Sequence, residues 1–496
     1  MKYRLIILLL IIGCLENNLM AIVWDGTSKT IWTQGRGTKN APYLIESPAQ
    51  LAYLSAQVAA GKNYNGVYFL QTTDFDINSK SWNQIGGSSS TPFAGKYDGG
   101  KHQILNIKES VFGYVSSATI SNLTIAGAST YPLIYETSGN TTMVNCHNKS
   151  TAKVYYAGLI RKSTKVLHIT NCSNYAKITQ SVVETKITHH ISREDSRCAA
   201  GIVAVVDSLY ATNCYNRGAV NLDGYGTPSC TIYAGGIVGY VFQGAIIGKC
   251  FNRSSISCSG GYAVGCDCAG ISSGGSHCII DQCYNTGNLG NNSYNTGNLS
   301  NYIYGIANNA TVTNCYSKGT FGSQSGYGIT YGTSHNCYLA GSSTLPKVTT
   351  YGGNTYYLET CNAEEEKIAH PKSENEMQLQ SFIDLLNADG EYFCQDYTNS
   401  NGGFPVLRWQ LGKFYPIRGL CKSEQGTITG TGAYPKGAEI QLTATPKDNF
   451  AFAGWSDGVT DNPRTIKVEG EATYVAQFER TSYTVYVNQD CSITVE

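Results

Sequence analysis

Pairs of short apolar runs, separated by Gly, Ser or Asn, recur through the middle of the chain. In one copy Gly236-Ile237-Val238-Gly239-Tyr240-Val241 is followed by Ala245-Ile246-Ile247. Runs of this length suit strands and leave no room for a long helix. Seven copies end on a cysteine in a shared context: Val144-Asn145-Cys146-His147-Asn148, Thr170-Asn171-Cys172-Ser173-Asn174, Thr212-Asn213-Cys214-Tyr215-Asn216, Lys249-Cys250-Phe251-Asn252, Gln282-Cys283-Tyr284-Asn285, Asn314-Cys315-Tyr316-Ser317 and Asn336-Cys337-Tyr338. Gly158-Leu159, Gly201-Ile202, Gly236-Ile237, Gly270-Ile271, Gly305-Ile306 and Gly328-Ile329 precede six of them, at 14, 13, 14, 13, 10 and 9 residues. Successive cysteines are 22 to 42 residues apart, the irregularity falling in loops such as Ser181 to Arg197. Such a period marks one supersecondary unit stacked on its neighbours. Units this small bury their apolar edges only by coiling. The pattern predicts an all-β fold: a right-handed parallel β-helix (solenoid) with short capping helices, followed by a small β-module.

In a coil each residue lies above its counterpart, about 4.8 Å away. Cys146, Cys172, Cys214, Cys250, Cys283, Cys315 and Cys337 then form an interior ladder. Asn148, Asn174, Asn216, Asn252 and Asn285, each two after a cysteine, form a ladder at a turn, where Asn tolerates left-handed backbone and bonds along the stack. Tyr215, Phe251, Tyr284, Tyr316 and Tyr338 follow ladder cysteines. They are candidate ligand contacts if exposed for stacking on sugars, and packing residues if they meet a loop or the interior. The three-residue step from Val312 to Cys315 breaks strict alternation, so a bend intervenes.

Ser47-Pro48 opens a helix with Leu51, Leu54 and Val58 on one face and Gly61 as its stop. Ser373-x-x-Glu376 is a capping box, with Leu379, Phe382, Ile383 and Leu386 at helical spacing after it. Both read as caps over the ends of the coil, the alternative being ordinary surface helices. The expected organisation is residues 1–21 a signal peptide, 22–64 an N-terminal cap region, 65–415 the β-helix with a closing helix near 374–387, 416–480 the β-module, and 481–496 an incomplete second module or a terminal strand.

The pattern Ala-Gly-Gly-Ile-Val-Gly followed by Asn-Cys-Tyr-Asn-x-Gly resembles the GLUG-type repeats of bacterial surface proteins, a motif also found beside some immunoglobulin-A-cleaving peptidases. Trp24-Asp25-Gly26, Pro42-Tyr43-Leu44-Ile45, Asp74-Phe75-Asp76-Ile77 and Asp98-Gly99 look like the opening of GLUG-containing proteins of Bacteroidetes. This resemblance spans roughly Ile22 to Leu411; it implies a cell-surface β-helix and brings no catalytic residue. Gly426 to Gly430, Gly437 to Pro446, Phe452-Ala453-Gly454-Trp455-Ser456-Asp457-Gly458 and Tyr474 to Phe478 resemble the bacterial repeat related to internalin B-repeats. Such modules act as stalks or spacers.

Lys2, Arg4 and the apolar run Leu5 to Gly13 have the form of an export signal, too short to span a bilayer. Ile11-Ile12-Gly13-Cys14 reads as a lipobox placing a lipid on Cys14, with cleavage after Ala21 as the alternative. The expected location is extracellular or the outer-membrane surface, with membrane contact only through that lipid. Lys plus Arg and Asp plus Glu both total 35, so no net field attracts nucleic acid.

A glycosidase needs two carboxylates across the scissile bond, and a lyase commonly a base with carboxylate-bound calcium. From Val111 to Asn354 the acids Glu136, Glu184, Glu194, Asp195, Asp207, Asp223, Asp267 and Asp281 do not recur in register. Cys258, Cys266, Cys268, Cys278 and Cys283 leave three readings open: buried thiols, disulfides, or a metal site. Only one tight pair is present, and export favours disulfides over zinc. His189-His190, with Glu184, Arg193, Glu194, Asp195 and Arg197, is a solvated insertion or a ligand loop. The expected function is binding or adhesion by a monomer, to a glycan or a host or matrix protein, with no catalytic residue, metal or cofactor. A β-helix carbohydrate-active enzyme and a structural spacer are the alternatives.

Overall fold

The computed structural model describes residues 20–181, 197–224, 230–260, 264–291, 301–322, 325–341, 347–361, 368–481, 485–487 and 493–495. Two compact units divide between Glu374 and Asn375.

The first unit is a parallel β-helix. One ladder runs from Tyr43–Ile45 through Tyr68–Gln71, Lys96–Asp98, Thr119–Ser121 and Thr141–Val144 into the long strands Ile160–Thr170, Val203–Thr212 and Val238–Gly248. A second runs from Ile22–Val23 through Phe75–Asp76, Gln103–Leu105, Thr124–Gly127 and His147–Ser150 into two-residue strands at Ser173–Asn174, Tyr215–Asn216, Phe251–Asn252 and Tyr284–Asn285. A third joins Cys198–Ala200, Cys230–Gly235, Val264–Ala269 and Asn301–Tyr304. A separate sheet of Ile178–Ser181, Val220–Gly224, Ile256–Gly260 and Leu289–Asn291 completes the middle coils. Parallel crossovers of twisted strands are right-handed in nearly all cases, which sets the sense of the coil. The core is columnar: Ile169, Ala211, Ile247, Ile280 and Val312 stack in register and are all buried.

Corners fall at residues in left-handed backbone, five of the seven being asparagine, which accepts it at low cost. These are the residues one before each ladder cysteine: Asn145, Asn171, Asn213, Lys249, Gln282, Asn314 and Asn336, with φ of 51 to 56°. This moves the expected turn by three residues, because Asn148, Asn174, Asn216, Asn252 and Asn285 sit in the short strands that follow and are fully buried. There they form an interior carboxamide ladder. Asn174 donates to Asn216 (2.9 Å), Asn216 to Asn252 (2.8 Å) and Asn252 to Asn285 (2.8 Å). Asn174, Asn216, Asn252 and Asn285 also close their own turns, Nδ2 donating to the carbonyl two residues on and Oδ1 accepting that residue's N–H, as at Asn216 with Gly218, whereas Asn148 Nδ2 donates to the Gly158 carbonyl.

The repeat glycines meet this ladder. A Cβ on Gly201 would lie 2.3 Å from the Asn216 carboxamide carbon and 2.2 Å from the Gly236 carbonyl oxygen. On Gly236 it would lie 2.7 Å from the Asn252 Cβ and 2.0 Å from the Gly270 carbonyl. Glycine and asparagine therefore recur together because each occupies the space the other leaves.

Residues 22–64 prove to be the first turn of the coil rather than a separate cap region, since Ile22 pairs with Phe75 and Tyr43 with Phe69. Within it, Ser47 caps the helix Pro48–Ala59 by accepting from the Gln50 N–H, and Leu51, Leu54 and Val58 join the core. The expected closing helix is two short pieces, Glu374–Met377 and Gln380–Leu386, and contacts from Asn375 onward belong to the second unit. Among the described residues no helix is long and apolar enough to cross a membrane.

The second unit holds the β-module. Phe414–Leu420 pairs with Gly432–Pro435 and Ala472–Arg480, and Gly426–Thr429, Glu439–Pro446 and Arg464–Lys467 form a second sheet. Trp455, Leu442, Ile417 and Ala476 are central to its core, and Trp455 Nε1 donates to the Asp461 carbonyl at 3.0 Å. Beyond it, Val485–Val487 and Ile493–Val495 pair as an antiparallel hairpin instead of adding one strand.

Asn216→Leu leaves buried partners without bonds, and Gly236→Ala forces a Cβ into a carbonyl. Each is expected to lower unfolding free energy by about 2–4 kcal/mol in urea titrations. Tyr210→Ala, at an exposed position, is expected to change it by less than about 0.5 kcal/mol.

Candidate functional site

Strand alternation decides which side chains leave the core. In the third ladder Ala199, Ala234, Cys268 and Ile303 belong to the core, so the alternate residues Cys198, Tyr233, Asp267 and Tyr302 form an outward column. After the Gly-Ile corner the next face presents the column Val205, Tyr240 and Gly274. The two faces meet in a concave corner: a Cβ on Gly239 would sit 3.2 Å from the Cys198 Cβ, and one on Gly274 2.6 Å from the Tyr233 ring. Glycine at 274 lets the Tyr233 and Tyr240 rings lie 4.8 Å apart at 57°.

This corner is a groove lined by tyrosine. Arg197, Cys198, Thr231, Tyr233 and Tyr240 enclose a pocket of about 260 Å³. Further along the coil the half-buried Tyr302 and Tyr327 and the 49% exposed Tyr331 continue the aromatic surface, with Tyr304 buried between Tyr302 and Tyr327. In the other direction the Arg161 guanidinium lies 4.5 Å from the Tyr135 ring centroid and 5.2 Å from that of Tyr156, with the Glu136 carboxylate 3.7 Å away. Partly exposed rings of this kind offer apolar faces beside polar edges.

Asp267 lies in the same outward column, 7% exposed, one coil from both Tyr233 and Tyr302. Asn308 Nδ2 donates to its Oδ2 at 3.4 Å. Burial raises its pKa to about 7, against a lowering by the Tyr302 backbone N–H, and no second acid contributes. Burial, then the Asp267 charge, pushes the Tyr233 and Tyr304 phenols above their ordinary range. Glu136, on the column that continues into Tyr240 and Gly274, is four coils from Asp267, about 19 Å at ordinary strand spacing. That exceeds the separation of a glycosidase pair.

The aromatic stripe expected to contact ligand is corrected by the structure. Tyr215, Phe251, Tyr284, Tyr316 and Tyr338 stack ring on ring at 4.8 to 5.1 Å and 2 to 8°. Phe251, Tyr284, Tyr316 and Tyr338 are 9%, 1%, 1% and 0% exposed, and only Tyr215 is half-buried. Each ring covers its neighbour's face, leaving nothing for a sugar.

Cys146, Cys172, Cys214, Cys250, Cys283, Cys315 and Cys337 are buried and free. Each thiol donates to the carbonyl two residues back, as from Cys315 to Thr313 at 3.0 Å, and the N–H groups of Cys214, Cys250 and Cys283 donate to the next sulfur at 3.2 to 3.4 Å. Burial holds Cys214, Cys250 and Cys315 well above the usual thiol range. Cys258, Cys266, Cys268 and Cys278 are also buried and free, and no metal-binding group of three occurs among the described residues. Cys14, His189, His190 and Glu184 lie outside the described residues.

The groove residues were missed although a signal exists. Tyr156, Tyr233, Tyr304 and Tyr327 each stand one to three residues before a repeat glycine, at Gly158, Gly236, Gly305 and Gly328.

Fold and groove together define a parallel β-helix with an aromatic outer corner, joined to a small β-module. Residues 421–482 match the family model of the divergent InlB B-repeat domain, which covers the module. A candidate immunoglobulin A1 protease from Bacteroides ovatus, known from its crystal structure, shares 16% sequence identity, with a TM-score of 0.36 over 76% of this chain and 95% of its own. No curated protein matches the chain.

A carboxyl that keeps its proton up to about 7 when folded binds more protons than the unfolded chain, so its contribution to stability falls as pH rises from about 4 to about 7. Asp267→Asn is expected to remove that fall: the wild-type-minus-variant difference in urea stability shrinks by on the order of 2–4 kcal/mol between those limits. A flat difference rules out the raised pKa. Peptide mapping after alkylation is expected to find the ladder cysteines modified only once the protein is unfolded.

Proposed function

We propose that this protein is a secreted or surface-held glycan-binding protein of the GLUG-repeat type, which holds a sugar chain in the tyrosine groove and does not cleave it. The observation that carries the reading is the groove itself: rings of Tyr233, Tyr240, Tyr302 and Tyr327, all half-buried, beside a carboxyl whose pKa burial raises to about 7, so that it stays protonated well above the usual carboxylate range. Aromatic faces pack on the C–H faces of sugar rings, while phenols and a protonated acid bond their hydroxyls. A module matching the B-repeat domain supports a location outside the cell, where it serves as a spacer. Among the described residues no second acid is shown within glycosidase-pair distance of Asp267, which favours binding over general acid–base hydrolysis.

The test is a glycan array probed with the full chain, with released sugars assayed in the same wells. Saturable binding without product is expected, and Tyr233→Ala together with Tyr327→Ala is expected to weaken it by about tenfold or more. Tyr351→Ala, at an exposed ring elsewhere on the coil, should leave it unchanged. Product release abolished by Asp267→Asn would establish an enzyme instead. Binding that survives the double tyrosine change would remove the groove from the reading.

A further inference from the structure

A different face of the coil carries a second groove, of about 560 Å³, built on the corner asparagines and the short strands after them. Its walls are the carboxamides of Asn145, Asn171 and Asn213, the His147 imidazole, and the ammonium groups of Lys101 and Lys149.

Its carboxamides are tied to one another along the coil. Asn145 Nδ2 donates to Asn122 Oδ1 at 2.8 Å and Asn171 Nδ2 to Asn145 Oδ1 at 3.1 Å. Each of these Nδ2 groups keeps a second N–H that can donate to a ligand, as each oxygen keeps a second lone pair. His147 Nδ1 is held by the Ser173 hydroxyl at 2.7 Å, which leaves Nε2 facing out.

Its charge is one-sided. Over the chain cations and anions balance at 35 each, but here they do not. On the strands that flank the groove Arg217 and Arg253 hold adjacent positions, with the Tyr175 coil between them and Lys149; Arg217 lies 5.5 Å from the Tyr215 ring and Arg253 5.1 Å from the Phe251 ring. Lys101 and Lys149 have no carboxylate partner among the described residues. Two acids border the face, one at either end. Asp98 accepts from Asn122 Nδ2 and the Gly100 N–H, and Asp281 accepts from Asn314, Thr313 and Gln282.

From these ammonium groups without carboxylate partners, set beside carboxamides that can still donate, we infer that the groove binds an acidic polysaccharide, its carboxylate or sulfate groups lying along the coil axis. The site is independent of the tyrosine groove: it uses other residues on another face, and its failure would leave that reading untouched. Cations on several coils, with corner carboxamides on each, favour a chain with repeated anions over a single small anion.

The experiment is titration of the full chain with polygalacturonate, dextran sulfate and neutral dextran over a range of salt concentrations, in the presence of the Tyr233→Ala, Tyr327→Ala changes that disable the first groove. Polygalacturonate binding identifies carboxylate as sufficient, and dextran sulfate binding does the same for sulfate. In either case affinity is expected to fall steeply with salt, as ion release requires. Lys101→Ala with Lys149→Ala is expected to weaken binding by about tenfold, while circular dichroism and urea stability stay those of the parent. Equal affinity for dextran, no binding of either polyanion, or undiminished binding by the lysine variant would overturn the inference.

Discussion

The structure depends on one buried polar contact, repeated: an asparagine carboxamide inside the coil, packed where a glycine of the same turn has no side chain. A buried amide without partners costs more than a bonded one contributes, so the carboxamide is tolerable only if every coil supplies the next with a partner. Asn174, Asn216, Asn252 and Asn285 do this in a chain, each also tying down its own turn. The ladder ends where the repeat loosens: Ser317 takes the place of asparagine, accepting at a long 3.5 Å, and Leu339 follows it in register. Coils after Asn285 lack this interior chain and keep the pairing of their strands and the corner bonds from Asn336 to Asn314 and Asn354 to Asn336.

That lock also creates the outer surface. Glycines at 201, 236 and 270 bring consecutive faces together at a tight angle, because their neighbours are backbone oxygens and asparagine side chains. The tight angle makes the corner concave, and a concave corner is where outward side chains from two faces converge. Tyr233 and Tyr240 meet for this reason, and Asp267 is desolvated between Tyr233 and Tyr302 for the same one. Architecture and candidate chemistry share a cause in the repeat.

The coil was legible from the spacing of Gly-Ile and Cys, since both are periodic and both are buried. The B-repeat segment was legible from its motif, around Trp455 and Asp457. Which asparagine turns the chain was not. Asn145 and Asn148 are the same residue type on either side of Cys146, and only the backbone reveals that the first takes φ near 53° and the second lies in a strand. The first turn of the coil was also hidden, because Ile22–Val23 and Tyr43–Ile45 are paired without carrying the cysteine signature. The carboxamide groove was invisible for a related reason: Lys101 and Lys149 are far apart in sequence and ordinary by type, and only the stacking of coils places both beside the same asparagines.

The two sets of tyrosines show why composition could not locate a binding surface. Residues in one register column repeat at the strand spacing of about 4.8 Å, close to the separation at which parallel rings stack. Tyr284, Tyr316 and Tyr338 therefore satisfy one another, at 5.0 and 5.1 Å and 5°, and both faces of Tyr316 are used up by the fold. Tyr233 and Tyr240 come from different columns, across a corner, and meet at 57°. Rings at such an angle cannot cover each other, so part of each face stays open to another molecule. A regular column consumes its aromatic surface in building the coil; a corner where two columns cross leaves some over, and that residue of unmatched surface is where this fold has something to offer a ligand.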